Sequence, residues 1–227
     1  MNRISSCFFI VLLILTGQYV VAKGRPAAGI LPYSIDKAGQ VYFLIGQEPN
    51  GLWADFGGRA DATDRDPKET ALRECAEETR CVFGMYDYKQ NRKLRKRILH
   101  YPECLRASHR YLKPRMMQGL RHPRGYYVMY LARVEFIEAE VFNRAAKIPH
   151  YEKKQYAWVP ADAFINAVLL SPDRHNTYFE GKKIRPPFCD MIKTHADVLR
   201  RMIHSRRRTV AMQEGVGFCG IHTVLIG

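Results

Sequence analysis

The stretch Gly57-Gly58-Arg59-Ala60-Asp61-Ala62-Thr63-Asp64-Arg65-Asp66-Pro67-Lys68-Glu69-Thr70-Ala71-Leu72-Arg73-Glu74-Cys75-Ala76-Glu77-Glu78-Thr79 decides how the rest of the chain is read. Its middle announces a helix. Asp66 offers a carboxylate to the free amides of a first turn, Pro67 fits the first helical position, and Glu69 stands where the partner in a capping box stands. A helix opened there runs to about Thr79 and carries Glu74, Glu77 and Glu78 at i, i+3 and i+4, so all three carboxylates leave one face. Like charges packed so closely repel. A hard divalent cation gives one reason for such a row, because magnesium takes a few carboxylates together with substrate phosphate oxygens. A solvated acidic face, with Arg73 as the i,i+4 partner of Glu77, gives another.

Upstream, residues 28–35 and 41–47 are apolar runs separated by Asp36-Lys37-Ala38-Gly39, which predicts a hairpin. Residues 51–58 continue in extended form through Trp53 and Phe56 to the glycine pair. Downstream, the pattern predicts a short strand over 81–86, a central strand over 126–136, a short helix over 141–147 and a strand over 155–159. A helix opening at Pro160 and running to Leu169 and a long amphipathic helix over 188–204 complete the series. Strands and helices mix without strict alternation, there is no internal repeat, and the expectation is one α/β domain. Residues 205–227 remain an unassigned tail.

The quoted stretch resembles the Nudix box, whose pattern is Gly, five residues, Glu, seven residues, then Arg-Glu-U-x-Glu-Glu-x-Gly-U with U apolar. Arg73-Glu74-Cys75-Ala76-Glu77-Glu78 matches the second half in full, and Cys81 supplies the final apolar position of a box spanning residues 58–81. Trp53-Ala54-Asp55-Phe56-Gly57-Gly58 resembles the strand that leads into the box. Tyr156-Ala157-Trp158-Val159-Pro160 resembles the strand and turn before a late helix. The resemblance covers residues 24–204 and implies a single Nudix-type domain, an α/β/α sandwich around a mixed sheet. Three departures stand out: the loop after Gly58 is one residue longer, Arg65 or Asp64 falls at the first box glutamate, and Arg80 replaces the late glycine. In the family the first glutamate supports the loop, often by pairing with the box arginine, so Asp64 or Asp61 is expected to substitute. Arg80 must end the helix by another route, at a cost in backbone strain.

The resemblance further implies a hydrolase dependent on Mg2+ or Mn2+ that cleaves a pyrophosphate bond in a nucleoside diphosphate linked to another moiety. Glu74, Glu77 and Glu78, with the Gly58 carbonyl, would hold the metal, and Arg73 would orient the glutamates. The family draws its general base from different loops. Here Glu152, Glu135 and Glu138 are the candidates, and each is also readable as a surface glutamate. No pattern after the box matches the NADH, coenzyme A or ADP-ribose groups. The rival class is a catalytically inactive Nudix-fold module that binds nucleic acid or another polyanion.

The formal charge of +14 is concentrated rather than spread. Between Lys89 and Arg124 twelve Lys or Arg face a single acid, Glu103, and Lys89-Gln90-Asn91-Arg92-Lys93-Leu94-Arg95-Lys96-Arg97 alone holds six. This basic insertion, 89–124, suits a phosphate-rich ligand such as a nucleotide derivative, or nucleic acid, with Arg92, Arg95, Arg97 and Trp158 as candidate substrate contacts. A solvated basic loop, or an anchor for acidic lipid or a partner protein, reads the same charges differently.

At the N-terminus Arg3 precedes an unbroken apolar run over residues 7–15, and Val20-Val21-Ala22 offers a small-residue cleavage site. The expectation is a signal peptide over residues 1–22 and a secreted or periplasmic protein, cytoplasmic if that segment is not a signal. The run falls short of the roughly 20 apolar residues of a spanning helix, so no membrane span is expected after cleavage. Cys75, Cys81, Cys104, Cys189 and Cys219 then remain, an odd number without the spacing of a disulfide framework or zinc site.

Overall fold

The computed structural model describes residues 26–85, 101–145 and 153–215, with side chains in the last helix described to residue 202 and at 204. Strands β1 (Ala27–Ile35) and β2 (Val41–Gln47) form the expected antiparallel hairpin. Its turn is closed by Asp36, whose Oδ1 accepts from the Gln40 amide at 2.8 Å, and by Gly39 at φ 77°. The chain continues through β3 (Trp53–Ala54) and β4 (Phe56–Gly58), then helix α1 (Pro67–Glu78). Helix α2 (Val82–Met85), helix α3 (Tyr101–Leu112), a 3-10 turn (Lys113–Arg115), β5 (Leu120–Arg121) and β6 (Tyr127–Arg133) follow. The C-terminal half holds α4 (Ala139–Arg144), β7 (Gln155–Pro160), α5 (Ala161–Leu170), the ribbon β8 (Tyr178–Phe179) and β9 (Lys182–Lys183), and α6 (Pro186–Gly215).

The seven-stranded sheet is mixed: β1 runs parallel to β6 and antiparallel to β2 and β4, while β7 pairs antiparallel with β2. Both faces are covered, which is why the central strands read as apolar runs rather than as alternating patterns. Leu31, Tyr33, Phe43, Ile45, Met129, Leu131 and Val159 point to one side, where Phe164 and Ile165 of α5 and Phe188, Ile192 and Leu199 of α6 seal them. Ala28, Ile30, Leu44, Val128, Ala132 and Tyr156 point to the other, under Leu72 and Cys75 of α1, Phe83 of α2, Leu112 of α3 and Phe142 of α4. Residues two apart along each strand share a face, so the sheet sits as the middle layer of a single α/β/α domain. Among the described residues no helix is long and apolar enough to cross a membrane.

Several expectations need correction. Residues 82–85 form a short helix, not a strand. Arg80 and Cys81, at φ 53° and 56°, turn the chain in the left-handed region directly after α1, and extended pairing does not follow such a turn. Glu69 does not reach back to the Asp66 amide. It accepts from the Arg65 amide at 2.9 Å, while Asp66 caps the Glu69 amide as expected. The short helix expected over 141–147 lies at Ala139–Arg144, and the last helix continues beyond 204 to Gly215. Helix α3 occupies part of what composition presented only as a basic insertion. The signal segment 1–22, the basic run 89–97 with Arg92, Arg95 and Arg97, Glu152 and the tail 216–227 lie outside the described residues.

Candidate metal and phosphate site

Helix α1 is held against β4 and the loop that follows it by its own charged residues. Asp64 receives Arg73 in a two-pronged pair, Nη2 to Oδ2 at 2.9 Å and Nε to Oδ1 at 3.2 Å, and also accepts from the Asp61 amide at 2.8 Å. Asp64 thus ties the loop after Gly58 to Arg73 of α1. Burial alone would raise its carboxyl, but the bonds from Arg73 and the Asp61 amide hold it below the ordinary value. The remaining guanidinium edge of Arg73 donates from Nη1 to Glu74 Oε1 and to Glu77 Oε2, each at 3.0 Å. Burial would lower the Arg73 pKa; the Asp64 bond and the charges of Glu74 and Glu77 outweigh that and raise it. The arginine therefore stays charged and fixes two of the three glutamates.

The third glutamate is set differently. Glu78 Oε2 accepts from the Gly57 amide at 2.7 Å, its Oε1 lies 3.3 Å from Lys153 Nζ, and its main-chain oxygen accepts from the Tyr156 hydroxyl. Burial pushes the Glu78 carboxyl up to about 8, against the pull of the Lys153 charge and with added repulsion from Glu74. Lys153 is almost wholly buried and also faces Glu48 at 3.6 Å, while Arg185 meets the same Glu48 oxygen at 3.0 Å. Beneath them Asp55, raised by burial, accepts from the Tyr127 hydroxyl at 2.7 Å.

A cavity of about 560 Å³ opens where Glu48, Gly57, Gly58, Arg59, Glu74, Glu78 and Arg185 meet. A second of about 180 Å³ shares Gly57, Gly58, Arg59 and Arg185 and continues between Tyr126, Tyr127 and Phe188. The glycines are required by close approach. A Cβ on Gly58 would lie 2.5 Å from Glu74 Oε1, and one on Gly57 would lie 2.2 Å from the Tyr127 hydroxyl and 2.5 Å from the Gly29 Cα. Glu74 and Glu78 bring carboxyl oxygens to the larger cavity beside a glycine that leaves room at its surface, and oxygen is the donor type that a magnesium- or manganese-class cation takes. Glu74, Glu78 and the Gly58 backbone belong to this cavity. Glu77 does not line it: it accepts from Arg73 and from the Tyr101 hydroxyl of α3. Among the described residues no group of three or more His, Cys, Asp or Glu side chains is gathered closely enough to hold a metal ion.

Trp158 is placed elsewhere: its Nε1 donates to the Ile137 carbonyl at 2.8 Å and its ring packs 5.2 Å from Phe136. Glu135 lines a separate groove with Tyr33 and Ile35, and Glu138 is exposed at the start of α4; neither lines the metal cavity. The sequence reading missed Glu48, Asp55, Lys153 and Arg185. In the sequence Asp55 stands out only as part of a strand, and a lysine just ahead of a strand carries no mark of burial.

No protein-family model matches the chain. An uncharacterised protein of Acanthamoeba polyphaga mimivirus is 35% identical over 75 residues, covering 30% of this chain and 24% of its own, so the match spans about a quarter of that relative. Similar solved structures include a Nudix hydrolase from M. smegmatis, at TM-score 0.39 and 14% identity over 78% of this chain and 87% of that one. The Nudix domain of Shewanella oneidensis NrtR, solved with ADP ribose, gives 0.39 and 15% over 78% and 88%. A Nudix hydrolase from Alicyclobacillus acidocaldarius gives 0.39 and 18% over 63% and 82%.

Proposed function

We propose that this chain is a pyrophosphohydrolase of the Nudix type, dependent on Mg2+ or Mn2+ and acting on a nucleoside diphosphate joined to another group. The observation that carries it is the meeting of Glu74 and Glu78 over the Gly58 backbone in one cavity with Arg59 and Arg185. Glu74, Glu78 and the Gly58 carbonyl would hold the cation, with Glu77 recruited from Tyr101. When bound, the cation offsets charge on the phosphoanhydride oxygens as water attacks phosphorus. Arg59 and Arg185 line both cavities and orient the pyrophosphate between them. Tyr126, Tyr127 and Phe188 present an aromatic wall to the organic group of the substrate. Arg73, tied to Asp64, keeps the carboxylates in register.

A second reading has its own support. Glu77 is turned to Tyr101, and Lys153 already neutralises Glu78, as in a chain that binds polyanions without turnover. The deciding experiment is chromatographic detection of the cleaved phosphate-ester products from nucleoside diphosphate derivatives, dinucleoside polyphosphates, capped RNA and inositol pyrophosphates with Mg2+ or Mn2+. Turnover lost in Glu74→Gln and Glu78→Gln is the result expected. No turnover on any member, with polyanion binding kept in both variants, selects the binding module. Export with cleavage after Ala22 belongs to the same proposal, and an intact N-terminus in the mature protein by mass spectrometry would count against it.

A further inference from the structure

A third cleft, about 630 Å³, lies between α1 and α3, lined by Arg65, Lys68, Arg106, His109, Arg110 and Lys113 above Leu72. It contains none of Gly58, Glu74 or Glu78 and is distinct from the metal cavity. Its two acids are occupied: Glu69 pairs with Arg65, and Asp66 caps the Glu69 amide. Lys68, Arg106, Arg110 and Lys113 form no ion pair with any described residue. Burial lowers the His109 pKa, and its Nε2 is shielded with no hydrogen-bond partner in the structure. Arg106, Arg110 and Lys113 are exposed and Lys68 is half-buried, and these four line one cleft in which Asp66 is the single acid without an ion pair, an excess of positive charge at one place on the surface.

The arrangement is a row. Arg106 and Arg110 stand at i and i+4 on α3, about 6 Å apart along its axis, and Lys113 opens the 3-10 turn that directly follows it, with Lys68 of α1 lining the same cleft. A compact polyphosphate is best met by cations converging on a point; a line of cations matches phosphates repeated along a chain. Among the described residues that line the cleft there is no Phe, Tyr or Trp ring on which a base could stack, and those residues meet a strand through its backbone rather than its sequence. We infer that the α1/α3 cleft binds the phosphate backbone of a single polynucleotide strand, without sequence preference, through Lys68, Arg106, Arg110 and Lys113. This site stands independently of the hydrolase reading.

The test is fluorescence anisotropy of the full chain with a labelled, mixed-sequence single-stranded oligonucleotide of about twelve nucleotides, across a salt series in EDTA. Binding without metal or turnover separates this inference from the catalytic one. Arg106→Gln with Arg110→Gln is expected to weaken binding at least tenfold and to reduce the log K against log salt slope by roughly 0.7 per cation removed. Lys68→Gln, on the facing wall, should act in the same direction by itself, and melting curves verify that each variant folds. Arg133→Gln, exposed on the separate groove, should leave the slope unchanged. Absence of oligonucleotide binding, cleft variants that bind as the parent does, or an equal effect of Arg133→Gln would each overturn the assignment. Inositol hexakisphosphate binding more tightly than the strand, and being the ligand the cleft variants lose, would overturn it in favour of a compact polyphosphate.

Discussion

Lys153 Nζ and Glu78 Oε1 meet 3.3 Å apart with 1% and 5% of their side chains exposed. The pair ties the segment just before β7 to the last residue of α1 and places a buried ammonium beside a proposed metal ligand. Removing one partner of such a pair leaves the other charge without compensation, typically at about 3–5 kcal/mol. Glu78 has an escape, because it can take up a proton. Lys153→Met is therefore expected to cost about 3 kcal/mol near pH 9 and clearly less near pH 6, measured by urea denaturation. An equal cost at both pH values would show that Glu78 does not respond.

The Glu78 carboxyl lies at about 8 in the folded chain against an ordinary 4.5. The folded state thus holds this proton more firmly than the unfolded one. The stability this gives is fully present below the ordinary value and is lost as pH rises through about 8. In EDTA the melting temperature should fall over that window, and Glu78→Gln should flatten that part of the profile. Magnesium or manganese should restore stability at the alkaline end, by about 2.7 kcal/mol at a hundredfold excess over Kd, or roughly 5–10 °C for a domain of this size. A metal response that survives Glu78→Gln would remove this residue from the ligand set.

Gly57 and Gly58 are adjacent yet should respond differently to alanine. On Gly58 the new Cβ meets the carboxylate end of Glu74, a flexible tip that can swing aside. Fold stability should change by less than about 1 kcal/mol, while displacement of Glu74 lowers kcat/KM at least about tenfold. On Gly57 the Cβ meets the Gly29 Cα at 2.5 Å and the Ala28 carbonyl at 2.7 Å, backbone that cannot yield. Gly57→Ala should cost about 1–3 kcal/mol or more. Thermal melts read with initial rates separate the two, and a stable Gly58→Ala with full activity would take Glu74 out of the site.

Arg80 closes α1 in a Schellman arrangement: its amide donates to the Glu77 carbonyl at 3.0 Å and that of Cys81 to the Ala76 carbonyl at 2.7 Å. At φ 53° a glycine would be free of roughly 1 kcal/mol of strain. The Arg80 side chain, however, donates from Nη1 to the carbonyls of Phe142, Asn143 and Ala145 at 3.0–3.1 Å, closing the end of α4. Buried acceptors left unmet cost about 1–3 kcal/mol each. Arg80→Gly should therefore destabilise by about 2 kcal/mol or more despite the better backbone, and a gain in stability on denaturant titration would refute the bracing role.

Much of this was legible. The strands declared themselves because helices bury both their faces, and α1 did so through Asp66 and Pro67. Val82–Met85 was misread because a few apolar residues do not distinguish strand from helix, and nothing in Arg80 or Cys81 announces a left-handed turn. Helix α3 hid because its buried positions, Cys104, Ser108 and Leu112, include small and polar side chains within a basic stretch. Glu74, Glu78 and Arg73 could be picked out by their spacing. Glu48, Lys153 and Arg185 could not, because they stand just after β2, just before β7 and just before α6, and only the folded sheet brings them to the box.

Asp64 is the residue through which the departure from the box pattern becomes testable. Its two bonds hold one edge of Arg73 while the other edge holds Glu74 and Glu77. Asp64→Asn keeps the volume and removes the charge, so Arg73 keeps the Arg59 carbonyl but has only Glu74 and Glu77 as carboxylate partners, and competes more strongly with a cation for them. Divalent-metal affinity should fall about tenfold, equivalent to about 1.4 kcal/mol, and kcat should fall with it at saturating substrate. The acid limb of the stability profile should change as well. The folded Asp64 pKa is depressed, so its contribution is present above the ordinary value of 3.8 and is lost as pH falls through the folded one. Asp64→Asn should remove that loss. Asp64→Glu, which keeps the charge, should recover part of the metal affinity. If Asp64→Asn binds metal as tightly as the parent by isothermal titration, Arg73 does not act through Asp64, and the longer loop is held by other contacts.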